Sequence, residues 1–220
     1  MFPQQPQQQF RKAGADVRIF YGANKSTAAQ LAWNKPRGVS HVYMMLIGAG
    51  GDGDGVSAGG GSGAVTVWYG AAQNVPDALT LSILDTATTV RARFSTVAAS
   101  NAALLTANSG GANNGAGGAA MTPNQFSASG FFKSTTGQDG GTTVFPSATT
   151  FLSGGGTGGG TLANYGYRSD STAGYFMLQP IIVGCAGSGL STSGGVGCGA
   201  SYQTFNTFLG GPGMILIASW

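Results

Sequence analysis

Residues 39–69 read VSHVYMMLIGAGGDGDGVSAGGGSGAVTVWY. Val39–Ile47 is apolar at nearly every position, the pattern of a strand covered on both sides, and Ala64–Tyr69 follows as a second strand. Between them, residues 48–63 hold nine glycines in sixteen positions and no stretch able to form a helix. The same grammar extends outward. Met214–Trp220 is again apolar on both faces, so it and Val39–Ile47 are expected at the centre of the core. LTLSIL places Leu79, Leu81 and Ile83 on one face and Thr80 and Ser82 on the other, the alternation of a half-buried strand; TVRARF likewise alternates Val90, Ala92 and Phe94 with Arg91 and Arg93. The predicted strands are Val39–Ile47, Ala64–Tyr69, Leu79–Leu84, Thr89–Val97, Tyr175–Val183, Tyr202–Leu209 and Met214–Trp220. Further short pieces fall at Val17–Tyr21, Gln30–Trp33, Phe131–Lys133 and Thr143–Phe145.

Composition narrows the alternatives. Of 220 residues, 40 are glycine, and only 17 are charged, 10 Lys or Arg and 7 Asp with no Glu. A helical domain would need carboxylate-rich faces, and collagen would need Gly at every third position with abundant Pro, so both are excluded. Disorder is excluded by 42 % hydrophobic residues, including 12 Phe and 7 Tyr, which can bury a core. The expectation is an all-β domain of about eight strands, a β-sandwich or jelly roll with long glycine-rich loops, over residues 31–220. Residues 1–30 read as an extended arm: MFPQQPQQQF suits neither a helix nor a central strand, and the chain turns basic after residue 10. The basic residues Arg11, Lys12, Arg18, Lys25, Lys35 and Arg37 are too sparse for a strong polyanion binder, which argues against nucleic acid as a partner. No window is long and apolar enough for a membrane span, and the first residues lack the pattern of a secretory signal.

The loops carry the unusual signal. Ordering glycine costs more backbone entropy than ordering any other residue, so a glycine-rich loop either stays mobile or packs backbone against backbone where no Cβ fits. Gly48, Gly50 and Gly51, and Gly155 and Gly159 of GGGTGGG at 154–160, are the candidates for such packing, with a neighbouring subunit as the expected partner. Tyr165, Tyr167, Arg168 and Tyr175 flank GGGTGGG and are candidate receptor or subunit contacts.

Catalytic chemistry is poorly supplied. His41, the only histidine, alternates with Val42 and Tyr43 in a strand, and no nucleophile elbow accompanies it, so a core or edge histidine is expected and no catalytic residue is assigned. Asp52 and Asp54 in GDGDG fall short of the six to eight oxygens of a calcium site and read as a solvated loop tip. GAGGDG follows a strand but leads into no helix, which removes the dinucleotide reading. Cys185 and Cys198 would meet if their segment forms a hairpin; free thiols are expected, and two cysteines make no zinc site. No cofactor or metal is assigned.

One larger pattern brings these parts together. Trp33, Pro36, Gly38 and Val39, then an apolar strand, then Gly48, Gly50 and Gly51, and at the far end Gly211, Gly213 and the strand Met214, Ile215, Leu216 and Ile217, resemble the glycine-rich domain of bacteriophage tail-fibre and related virion surface proteins. The middle departs from that pattern: VPDALTLSIL carries Asp77 where the family has glycine. The resemblance implies a non-enzymatic, self-assembling structural protein of a virion, with a tail fibre or surface appendage first and a capsid or decoration protein next. An adhesin module or extracellular filament subunit is the alternative outside that class. The implied partners are further copies of the chain, other virion proteins and a host-surface glycan.

Overall fold

The computed structural model describes residues 15–22, 29–53, 60–83, 94–99, 102–112, 115–137, 139, 176–178, 181–183, 196–197, 199–200 and 209–220. They form an all-β fold. The strands are β1 (Asp16–Tyr21), β2 (Ala29–Asn34), β3 (His41–Ile47), β4 (Val65–Ala71), β5 (Ala78–Ile83), β6 (Phe94–Ala99), β7 (Ala102–Asn108), β8 (Phe131–Thr135), β9 (Phe176–Leu178), β10 (Ile181–Val183) and β11 (Met214–Ser219). One sheet has the order β1-β11-β3-β4-β8, a second β2-β5-β6-β7, and β9 and β10 pair by themselves; every pairing is antiparallel. Among the described residues no helix is long and apolar enough to cross a membrane.

The two larger sheets share one core. Val42, Met44, Leu46, Trp68, Ile215 and Ile217 from the first face Trp33, Leu79, Leu81, Ile83, Val97 and Leu105 from the second, all buried. Two hydrogen bonds tie sheet to sheet: Ser95 Oγ donates to the Ile47 carbonyl at 2.8 Å and Thr66 Oγ1 to the Thr106 carbonyl at 2.7 Å. β5, β6 and β7 run as a meander within the second sheet. β3 and β11 lie at the centre of their sheet and are also covered outside, where Met45, Ile47, Met214 and Leu216 form a second buried cluster. Leu79, Leu81 and Ile83 point into the core, as their alternation requires.

The strands differ from the sequence reading at several points. The short piece expected at Val17–Tyr21 is present as the edge strand β1, which pairs with β11 from Asp16↔Ser219 to Tyr21↔Met214; Val17 and Ile19 alternate with Arg18 and add to the outer apolar cluster. Residues 1–14 lie outside the described residues. The run Tyr175–Val183 is not one strand but two, β9 and β10, paired from Leu178↔Ile181 to Phe176↔Val183; Tyr175, Gln179 and Pro180 lie outside the described residues. AALLTAN forms β7, which alternation alone does not reveal. The predicted strands Tyr202–Leu209 and Thr143–Phe145 fall largely or wholly outside the described residues, as do Val90, Arg91, Ala92 and Arg93.

The lead-in to β3 is fixed locally. Lys35 Nζ meets Asp77 Oδ1 at 2.9 Å and donates to the carbonyls of Val75 (2.7 Å) and Ala72 (3.1 Å), tying β2 to the turn between β4 and β5. Gly38 then takes φ +78, the left-handed conformation that turns the chain into β3. Two of the expected basic-arm residues are thus engaged: Lys35 here, and Arg18 with its neighbour Asp16 at 3.0 Å. Arg11, Lys12 and Lys25 lie outside the described residues.

Candidate functional site: a glycine bundle and an aromatic cluster

Register places one end of each of five strands on the glycine-rich segments. Ile47 pairs with both Val65 and Met214, and Val65 with Thr135, so β3, β4, β8 and β11 all reach the same end of their sheet; β7 brings Asn108 there from the other. Beyond those ends lie the described residues of the segments 48–53, 60–64, 109–118, 196–200 and 209–213.

These segments hydrogen-bond mainly to one another; the Gly111 N–H reaches the Ala116 carbonyl of its own segment at 2.8 Å. Gly48 and Gly51 donate to Ala64 and Gly61 of the 60–64 segment at 2.9 and 2.8 Å, while Gly50 donates to Gly211 at 2.9 Å. Gly60 and Gly63 donate to Ala200 and Gly197, both at 2.9 Å, while Gly61 donates to Gly111 at 2.8 Å. Donors three residues apart therefore face the same neighbour, and the donor between them faces another. That is the period of polyproline II, a helix of three residues per turn whose N–H groups have no internal acceptor and radiate outward. A sheet strand has two neighbours; residues 48–53 bond to four segments, which makes the assembly a three-dimensional bundle.

The period also explains the glycines. A Cβ at Gly48 would run into the Asn108 carbonyl and one at Gly51 into the Gly111 carbonyl; Gly60 and Gly63 would meet the carbonyls of Gly51 and Gly48, and Gly115 and Gly118 those of Gly111 and Asn108. Each pair is spaced by three, and each faces a pair spaced by three. In none of these six is φ in the left-handed region, so what excludes a side chain is space, not backbone conformation. The sequence-predicted Gly48, Gly50 and Gly51 thus sit inside the bundle, and their acceptors belong to the same chain, where a neighbouring subunit was expected. Five segments delivered to one end of the sandwich supply what a partner would have supplied. Gly155 and Gly159 lie outside the described residues, as do Tyr165, Tyr167, Arg168, Tyr175, Cys185 and Cys198.

Asp52 is a correction to the sequence reading. It is not a solvated tip but is buried, and its Oδ1 accepts the Gly210 N–H at 2.8 Å. In a bundle made of main chain, carboxylates serve as extra acceptors: Asp139 Oδ1 likewise accepts the Gly117 N–H at 2.7 Å. Asp52→Ala is expected to cost about 1–3 kcal/mol by leaving that donor unpaired, and Asp52→Asn, which keeps Oδ1, distinctly less; urea unfolding of the two variants measures the difference. Asp54 lies outside the described residues, and among the described residues no three His, Cys, Asp or Glu come together as a metal group.

The opposite end of the same sheet is aromatic. His41, Tyr69 and Trp220 stand on its outer face, with ring centroids 5.6 Å apart for His41–Tyr69, 6.2 Å for His41–Trp220 and 5.9 Å for Tyr69–Trp220, and planes within 13–18° of parallel. Phe131, which pairs with Tyr69 in register, is exposed beside them. Main chain holds Trp220 against β3: its carbonyl accepts the N–H groups of Ser40 (2.7 Å) and His41 (3.0 Å), and its own N–H donates to His41 at 3.1 Å. His41 Nδ1 lies 2.9 Å from Ser40 Oγ. The histidine thus stands at the end of a central strand within an aromatic group, where a core or edge position was expected. Tyr43, next on this face, has its phenol pushed above the ordinary value near 10.0 by burial, so it remains a neutral donor through the physiological range. Sequence reading passed over this group because its members come from strands far apart in the chain. No protein-family model matches the sequence, and a search of curated proteins gives no match.

Proposed function

We propose that this chain is a non-enzymatic, self-assembling structural protein of a virus particle, a component of a phage tail fibre or surface appendage. The observation that carries the proposal is the glycine bundle. The two stretches that resemble the virion glycine-rich domain, Val39–Gly51 and Gly211–Ile217, are neighbours in it: Gly50 donates to Gly211 at 2.9 Å, and β3 pairs with β11 from Ile47↔Met214. A body built this way suits an exposed particle. Main-chain hydrogen bonds in several directions hold the bundle.

Because the described glycine rows satisfy one another, self-association rests on the remaining surfaces: the edge strands β1 and β8 and the exposed Tyr21. Sedimentation velocity of the whole chain at micromolar concentration, with negative-stain images of the same sample, is the test. Discrete homo-oligomers are expected, and a sample that stays monomeric across the range overturns the self-assembling role.

A further inference from the structure

We propose that the aromatic cluster of His41, Tyr69 and Trp220 is a binding platform for the apolar face of a neutral pyranose sugar. The site goes beyond the structural role and does not depend on it, since it lies at the end of the five-stranded sheet away from the glycine bundle.

The geometry comes first. In a column of three stacked rings the outer pair stands at about twice the spacing of neighbours. Here the three separations, 5.6, 5.9 and 6.2 Å, are nearly equal while the planes stay almost parallel, so the centroids form a triangle and the rings spread sideways. The result is a surface wider than one ring. It is open to solvent, with Tyr69 37 % and Trp220 43 % exposed and Phe131, at its margin, 63 % exposed. It is also preorganised, because His41 and Tyr69 stand on paired strands and three main-chain hydrogen bonds hold Trp220 to Ser40 and His41.

Chemistry then selects the ligand. Among the described residues, the phenols of Tyr43 and Tyr69 and the Trp220 indole N–H meet no hydrogen-bond partner, so polar groups able to donate stand around apolar ring faces. A pyranose needs that combination: its axial C–H groups lie on an aromatic plane while its equatorial hydroxyls reach sideways for donors and acceptors. Lys133 is the only charged side chain among the described residues of this face, which provides no cluster for phosphates or for a charged peptide.

The test uses the intact chain over immobilised neutral oligosaccharides of hexoses and N-acetylhexosamines, maltohexaose and chitohexaose among them. Trp33 and Trp68 are buried, 4 % and 0 % exposed, so acrylamide quenching of the wild-type protein reports on Trp220. Capture on at least one of these glycans is expected, with Trp220 shielded from acrylamide at saturation. Trp220→Ala or Tyr69→Ala should weaken binding about tenfold without lowering the melting temperature, and Tyr69→Phe, which keeps the ring, should weaken it less. The proposal is overturned if no glycan is retained, if acrylamide still reaches Trp220 in the bound state, or if the alanine variants bind as well as wild type. It is likewise overturned if Trp220→Ala changes only the oligomeric state, which would make the cluster a contact between copies, or only the retention of single-stranded DNA.

Discussion

Alanine at Gly63 is expected to lower the unfolding free energy by about 3 kcal/mol, a large effect for the addition of one methyl group. The new Cβ would fall on the carbonyl and Cα of Gly48, both backbone, so no side chain can swing aside to admit it. Moving residue 48 aside would disturb its N–H bond to the Ala64 carbonyl, and moving residue 63 instead would disturb its N–H bond to the Gly197 carbonyl, each 2.9 Å. Gly38→Ala separates space from conformation. Nothing lies within 4 Å of a Cβ at Gly38, but its φ is +78, so that variant should pay only the left-handed backbone term of about 1 kcal/mol. Urea unfolding of both variants beside wild type decides the matter. A Gly63→Ala cost no greater than that of Gly38→Ala would mean that the glycine rows are not close-packed.

The contrast between these two glycines also shows how far the sequence can be read. LTLSIL announces its buried face because alternation is a local property, and VYMMLI and MILI announce a central position because both faces are apolar. AALLTAN does not, since Leu104 and Leu105 are adjacent and the rest is Ala, Thr and Asn; β7 is a strand because β6 pairs with it. The glycine segments announce close packing, and spacing by three is present in them at 48 and 51, 60 and 63, and 115 and 118. Which segment receives which donor is a non-local fact, set by the register that brings five strand ends together. The same holds for Asp52, whose partner Gly210 is 158 residues away, and for the aromatic cluster, where parity along β3, β4 and β11 puts His41, Tyr69 and Trp220 on one face only once the pairing is known.

Trp68→Ala is expected to destabilise the sandwich by about 3–5 kcal/mol, the range for emptying a large aromatic site in a packed core. Trp68 is fully buried on the inner face of β4 and stacks on Phe126 with ring centroids 4.8 Å apart. Two glycines shape its slot: a Cβ at Gly70 would lie 2.5 Å from its Cζ2, and one at Gly130 would lie 2.8 Å from its Cε2. Because main chain lines the slot, it cannot collapse around a missing indole, which places the expected cost toward the upper end. The Nε1–H of Trp68 is buried with no acceptor, and this makes Trp68→Phe the informative companion. Phenylalanine keeps the contact with Phe126 and removes an unpaired donor, so it should cost about 2 kcal/mol less than alanine despite its smaller ring. The midpoints of chemical unfolding, with slopes compared to check that the transition stays cooperative, give both numbers. Equal costs for Phe and Ala would show that volume at this position matters little and that sheet pairing, rather than the glycine-lined tryptophan slot, holds the two layers together.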